Sequence, residues 1–397
     1  MKPITRLDRS LAAKDRCLLW VTAMTPNIVE AVLDVATEDR QAMVLGLDRR
    51  CLGSGSALDA ALPGMRTAAL VERVRRRDFS GYVTIAREDV GPRLGGAHPA
   101  EALRLAKVAI SADIDAGLDL IHIDTSRDEH GSSVDEERMH ADQIALYTHA
   151  AAEAAQCDHD LALSIGSRQQ SASDDSLDGF AGYVDRSITA ILSHGHDIPR
   201  HFSAKVGTCA RDLANHGRLM RAQSGSQGVT AHEATVSEAS AVCEFAGSSL
   251  LAFEGDWLSA AALRMMHPLG VETLSMGISL AVEEMRFHLR LAESLGLNSL
   301  RDRIVEVAVT SGAWRRFATV KKKLDDEEKC LLGGALLLGN PEFSGLIGRL
   351  ERRTAAAGML FSEAIQESHR RELRRVMHEL GAVELRDHAA PVEELVP

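Results

Sequence analysis

The feature that most constrains this chain is a series of eight short apolar runs separated by helix-like segments. They are "CLLWVTA" (17–23), "AMVLGL" (42–47), "GYVTIA" (81–86), "LDLIHID" (118–124), "LALSIGS" (161–167), "FSAKVGT" (202–208), "SLLAFEG" (249–255) and "VETLSMG" (271–277). Each is the length of a strand. Between them lie amphipathic stretches such as "PAEALRLAKVAISADIDAG" (99–117) and "VDEERMHADQIALYTHAAAEAA" (134–155), whose apolar residues recur every three or four positions. Strand and helix in alternation give a parallel sheet, because parallel neighbours need a crossover over the sheet's face. Eight such units are the number that closes a (β/α)8 TIM barrel, the fold expected here. An open doubly wound sheet is the alternative. Against it, the first strand-to-helix turn, "TAMTPNIVE", lacks the Gly-x-Gly-x-x-Gly that holds a dinucleotide, which also disfavours a nicotinamide redox enzyme. The pattern places the barrel in residues 1–296. From "LNSLRDRIVEV" onward it predicts a helical C-terminal extension, 297–397, serving as a cap or an oligomerisation element.

A formal net charge of −12 disfavours nucleic acid and anionic membrane surfaces as partners and points to a small molecule instead. The six cysteines are widely spaced with no Cys-x-x-Cys, so neither a zinc ribbon nor a disulfide framework is expected, and the compartment reads as the reducing cytoplasm. No window approaches the roughly 18 apolar residues of a membrane helix, and "MKPITRLDRS" carries no apolar stretch behind its charges.

In barrels of this kind, reactive groups come from the C-terminal ends of the strands and the loops that follow. In order these ends offer Thr22 and Thr25; Asp48, Arg49 and Arg50; Arg87, Glu88 and Asp89; and His122 and Asp124. The second half offers Arg168; Lys205 and Cys209; Glu254 and Asp256; and Ser275. His122 and Asp124 are two apart in a strand and so share a face. If that face is the barrel axis, they can hold a divalent cation or act as a base and its orienting partner. The alternative is a satisfied interior histidine and a capping aspartate. Glu88–Asp89 and Glu254–Asp256 would complete an oxygen-rich site for Mg, Mn or Zn, unless they are caps. Arg49, Arg87, Arg168 and Lys205 put cations at four strand ends, which with Ser275 suits a phosphorylated or carboxylated ligand, unless they only neutralise the acids. "SHGHDIPRH" (193–201) has the residue types of a metal box but precedes a strand, so it is read as a solvated loop on the opposite face.

The order "AREDVGPRLGG", "AGLDLIHIDTS", "FEGDWLS", "GISLAVEEMRFHLRLAE", "SGAWRRFATVKK" resembles the tagatose-bisphosphate aldolase accessory-subunit family along nearly the whole chain. The resemblance implies a class II aldolase-like barrel. Some members of that family are non-catalytic partners that stabilise a zinc aldolase, and others are 4-epimerases of ketose phosphates or related sugars. Where the family has Gly-Gly-Asp-His-Leu-Gly-Pro, this chain has Ala86 to Pro92, with Glu88 keeping the acid and Asp89 replacing the histidine. Ile121 to Ser126 keeps Ile-His-Leu-Asp-Ala-Ser nearly intact. Arg168 replaces a glutamate, Asp256 survives where a neighbouring histidine is lost, and Thr273 stands for a lysine.

What remains implies Asp89, His122, Asp124 and Glu88 as catalytic groups. A harder metal set of Asp89, His122, Asp124 and Asp256 is also implied, or no metal at all. The expected function is a lyase or epimerase acting on an open-chain sugar or sugar phosphate, in a homo-oligomer. The alternative is a structural subunit bound to a catalytic aldolase.

Overall fold

The computed structural model describes residues 16–48, 60–78, 80–92, 98–126, 134–171, 177–219, 231–319, 322–356 and 361–381. Every one of the eight apolar runs is a strand: β1 (Leu18–Thr22), β2 (Met43–Asp48), β3 (Val83–Val90), β4 (Leu120–Ile123), β5 (Ala162–Ser171), β6 (His201–Lys205), β7 (Ser249–Ala252) and β8 (Val271–Met276). They pair in parallel in chain order, and β8 returns to β1, with Trp20 opposite Ser275, to close the barrel.

Alternate residues explain why the strands read as almost continuous apolar runs. Leu18, Trp20, Val44, Ala86, Leu120, Leu251 and Phe253 form a cluster inside the barrel. Their neighbours Leu19, Leu45, Ile85, Ile121 and Leu250 belong to the larger core under the helices. A strand buried on both faces needs apolar residues at both parities.

The crossover helices are α1 (Pro26–Glu38), α2 (Thr67–Arg77), α3 (Pro99–Asp115), α4 (Glu136–Gln156), α5 (Leu177–Ser193), α6 (Ala231–Phe245), α7 (Ala260–Met266) and α8 (Ile278–Ser294). Local chemistry starts several of them. Thr25 accepts from the Ile28 N–H ahead of Pro26, and Asp135 accepts from the Arg138 N–H. A two-stranded hairpin, Ala210–Arg211 with Ala214–Asn215, follows β6 at the barrel mouth.

The C-terminal extension supplies α9 (Asn298–Ser311), a 3-10 turn (Ala313–Phe317), α10 (Asp326–Gly333), α11 (Pro341–Ala356) and α12 (Phe361–Glu379). The division at 296 falls between α8 and α9. One apolar cluster nevertheless runs from the barrel's helix layer into Leu331, Phe343 and Leu373. α12 lies against α1, where Arg370 pairs with Asp34 at 2.6 Å and Arg374 with Asp39 at 2.8 Å. Among the described residues no single helix is long and apolar enough to cross a membrane. The five described cysteines are free thiols.

Candidate active site

At the C-terminal mouth of the barrel lies a cavity of about 50 Å³. Its acids are Asp48 from β2, Glu88 from β3, and Glu254 and Asp256 from the loop after β7. Its cations are Arg211 from the mouth hairpin and Arg316 from the 3-10 turn of the extension, and Thr22 and Ser275 also line it.

Glu88 is the centre of this arrangement. The Thr22 hydroxyl donates to its two carboxylate oxygens at 2.8 and 2.9 Å, and the Trp20 indole N–H donates to Oε1. Only 7% of the residue is exposed. Burial, together with the neighbouring charges of Asp48 and Asp89, pushes its carboxyl up to about 7, outweighing the two donors that favour ionisation. Gly46 on the adjacent strand makes room for the pair, because a Cβ there would overlap both the Glu88 carboxylate and Trp20 Nε1. Gly46→Ala is therefore expected to displace Glu88, to cost about 1–3 kcal/mol of overpacking and to perturb Trp20. Thermal unfolding and tryptophan fluorescence check this, and an unchanged spectrum with unchanged stability would refute the packing described.

A slip in strand register between Arg87 and Val90 re-aims the next residue. Asp89 takes a left-handed backbone with φ of 47°. Its carboxylate then lies 3.2 Å from His122 Nδ1, while His122 Nε2 is 2.8 Å from Ser203 Oγ. His122 packs edge-on against Phe253 and Trp20 inside the barrel. Asp89, His122 and Ser203 thus stand in the order of a hydrolytic triad. The serine, however, is 0% exposed, so no acyl substrate reaches it. What the array does is hold the Asp89 carboxylate beside Glu88.

The other expected residues divide sharply. Ser275 and Asp256 line the cavity. Asp256 Oδ1 accepts from Gly277 N–H, Ser279 N–H and the Ser279 hydroxyl at 2.7–2.9 Å, while burial still raises its carboxyl. Lys205 stands 4.0 Å from Glu254, whose backbone is also left-handed.

Two expectations need correction. Neither His122 nor Asp124 lines the cavity: His122 is buried inside the barrel, while β4 ends at Ile123 and Asp124 Oδ1 accepts from the Ser126 N–H at 2.8 Å in a local turn. Arg87 does not meet ligand, because it points outward and pairs with Asp113 on α3 at 2.7 Å and with Thr67 on α2 at 2.8 Å, both side chains of the ion pair being fully buried. Arg49 lies outside the described residues, and of Arg168 only the backbone, on β5, is described. In "SHGHDIPRH", His194 is exposed as expected. His201 instead begins β6 inside the barrel, 3.3 Å from Thr273 Oγ1, and burial holds it well below the usual histidine range.

A metal held by Asp89, His122, Asp124 and Asp256 does not fit this geometry. Among the described residues no group of three or more His, Cys, Asp or Glu side chains is placed to hold an ion. His122 has a protein partner at each ring nitrogen, and three protein donors converge on Asp256 Oδ1.

No family model matches the chain, and no curated protein does. Solved structures do. A probable tagatose 6 phosphate kinase from Sinorhizobium meliloti 1021 superposes with a TM-score of 0.62 at 14% identity, covering 92% of this chain and 97% of that one. The fructuronate-tagaturonate epimerase of Cohnella laeviribosi gives 0.58 at 10% identity, with 93% and 82% covered. A fructose-bisphosphate aldolase from Campylobacter jejuni gives 0.50 at 11% identity, with 95% and 93% covered. The chain shares with them a (β/α)8 barrel. At these identities the likeness establishes the fold and leaves the chemistry to the site itself.

Sequence reasoning missed Trp20, Ser203, Arg211 and Arg316. Trp20 and Ser203 sit in apolar runs and look like ordinary strand residues. Arg211 and Arg316 reach the mouth from segments without barrel periodicity. The one available signal was Gly46, a glycine inside a strand, which marks a place where another group approaches the backbone closely.

Proposed function

We propose that this chain is an enzyme of sugar metabolism that moves a proton beside the carbonyl of an open-chain sugar or sugar derivative, as an epimerase or a lyase. Glu88 acts as the acid–base group. The observation that carries this reading is the Glu88 carboxyl itself, held at the barrel mouth by Trp20 and Thr22 with its proton affinity near neutrality. A group that is half ionised near pH 7 both accepts and returns a proton efficiently. In the epimerase case, ionised Glu88 takes the proton from the carbon next to the carbonyl, and the electron pair moves onto the carbonyl oxygen as an enediolate. A proton delivered by solvent to the opposite face, with Glu88 releasing to solvent the one it took, gives the epimer. In the lyase case, Glu88 takes the proton of the hydroxyl on the second carbon from the carbonyl, that carbon becomes a carbonyl, and the electron pair of the broken carbon–carbon bond passes to the original carbonyl oxygen as an enediolate.

Arg211, lining the same cavity, supplies positive charge toward the developing oxyanion. Burial, Asp48 and then Asp89, which His122 fixes, keep the Glu88 carboxyl high. No step is routed through a metal, since the described side chains offer no such set. The fold neighbours named above for a sugar-acid epimerase and a sugar-phosphate aldolase are consistent with this chemistry. A non-catalytic subunit that stabilises a partner aldolase is the second reading. It gives no reason to bury Glu88 beside two like charges, an arrangement that costs stability and typifies reactive sites.

The test is incubation in deuterium oxide with a panel of ketoses, uronates and ketose phosphates. Deuterium washing into the position beside the carbonyl, or cleavage of the carbon chain, is expected with at least one compound. Absence of both across the panel would overturn the proposal.

A further inference from the structure

Among the described residues, the C-terminal extension lines the mouth cavity through the 3-10 turn Ala313–Phe317, and Asp212 binds the end of that turn and the residues after it. Asp212, at the tip of the mouth hairpin, donates its N–H to the Phe317 carbonyl at 2.9 Å. Its carboxylate accepts from the Thr319 N–H at 2.8 Å and from the Thr319 hydroxyl at 2.5 Å. Lys322 Nζ donates to its carbonyl at 3.5 Å. Asp212 and Leu213, with φ of 52° and 62°, are the two left-handed residues that a two-residue hairpin loop requires.

What the gripped turn delivers is Arg316. Its guanidinium lines the cavity, packs 5.5 Å from the Phe317 ring centroid and stands 3.6 Å from Asp48 Oδ2. The side chain is two-thirds buried, so a ligand oxygen meets a cation already oriented and largely desolvated. A planar guanidinium offers paired donors that match a carboxylate or a phosphate.

We propose that Arg316 is the specificity-determining residue of the site, taking the carboxylate or phosphate of the substrate, and that Asp212 is the positioning residue that holds it there. The inference rests on the function proposed above and narrows its substrate class to anionic sugar derivatives. It also gives the extension a role: the barrel lacks its anion-recognising side chain without it.

The experiment is steady-state kinetics of the full chain on three arms: a neutral ketose, a hexuronate and a ketose phosphate. Arg316→Ala is expected to raise KM on the preferred anionic arm about 10- to 100-fold, as loss of a hydrogen-bonded charge contact does, and several-fold more than on the neutral arm. Arg316→Lys should recover part of the loss, and Asp212→Ala should reproduce the KM defect with a smaller size. The arm that responds distinguishes carboxylate from phosphate. Equal effects on the neutral and anionic arms, or no effect on either, would overturn the inference while leaving the acid–base reading intact.

If the wild type turns over none of the three, the proposed function has failed instead. Calorimetric titration with glucuronate and with inorganic phosphate then decides the inference separately. Binding by the wild type that Arg316→Ala abolishes upholds it, and equal or absent binding in both proteins overturns it.

Discussion

Glu88→Gln is expected to lower kcat by about 10²- to 10⁴-fold, the usual size of a lost acid–base group, and at the same time to stabilise the protein at alkaline pH. The two effects have one cause. Burial and the charges of Asp48 and Asp89 raise the Glu88 carboxyl from 4.5 to about 7 in the folded chain. Between those two pH values the folded state holds a proton that the unfolded state has released, so stability falls as pH rises through this window. Above it the loss is complete. The size follows from the difference between the two values and is roughly 3 kcal/mol. Glutamine keeps an oxygen for the Thr22 and Trp20 donors but carries no charge to bury, so the variant should not share that loss. Urea unfolding at pH 5 and pH 8 measures it: the wild type should weaken between the two, and the variant should weaken less. The pH–rate profile of the wild type should show a limb near 7. A variant both less active and less stable at pH 8 would mean that Glu88 is structural, and the acid–base proposal would fall with it.

The barrel was legible in the sequence because its signal is local and repeated. Each strand is buried on both faces and announces itself by composition alone, and Thr25–Pro26 and Asp135 mark helix starts in the same local way. The site was legible only in part, and the reason is parity. Counting along an ideal strand puts His122 and Asp124 on one face, but β4 ends between them, so Asp124 turns into its own cap. On β3 the same counting puts Arg87 and Asp89 together; Arg87 points outward by regular alternation, and the register slip after it returns the aspartate to His122. A bulge is a property of two strands, and one strand's sequence does not display it. Arg316 stood in the quoted "SGAWRRFATVKK" with no local sign of its place at the site: its contact with Asp48 joins residues far apart in the chain, beside a segment bound by Asp212.

The misplaced arginine gives the largest stability effect expected in this molecule. Arg87→Met should destabilise the fold by about 3–5 kcal/mol, because it strands the Asp113 carboxylate in the core between β3 and α3. The penalty belongs to the uncompensated charge more than to the lost attraction. Arg87 Nη1 already lacks a hydrogen-bond partner, so the native pair is not an ideal one. Removing both charges should therefore recover most of the loss, and Arg87→Met with Asp113→Leu is expected to lie within about 1–2 kcal/mol of the wild type or above it, as apolar replacements of buried pairs often do. Urea unfolding of the two variants measures this, and the double variant alone suffices should the single one fail to fold. Because Arg87 faces the helix layer, the double variant should also keep kcat/KM on an anionic substrate within a few-fold. A double variant that folds like the wild type but loses binding of that substrate would return Arg87 to the site, and would mean that the strand's outward face had been misassigned.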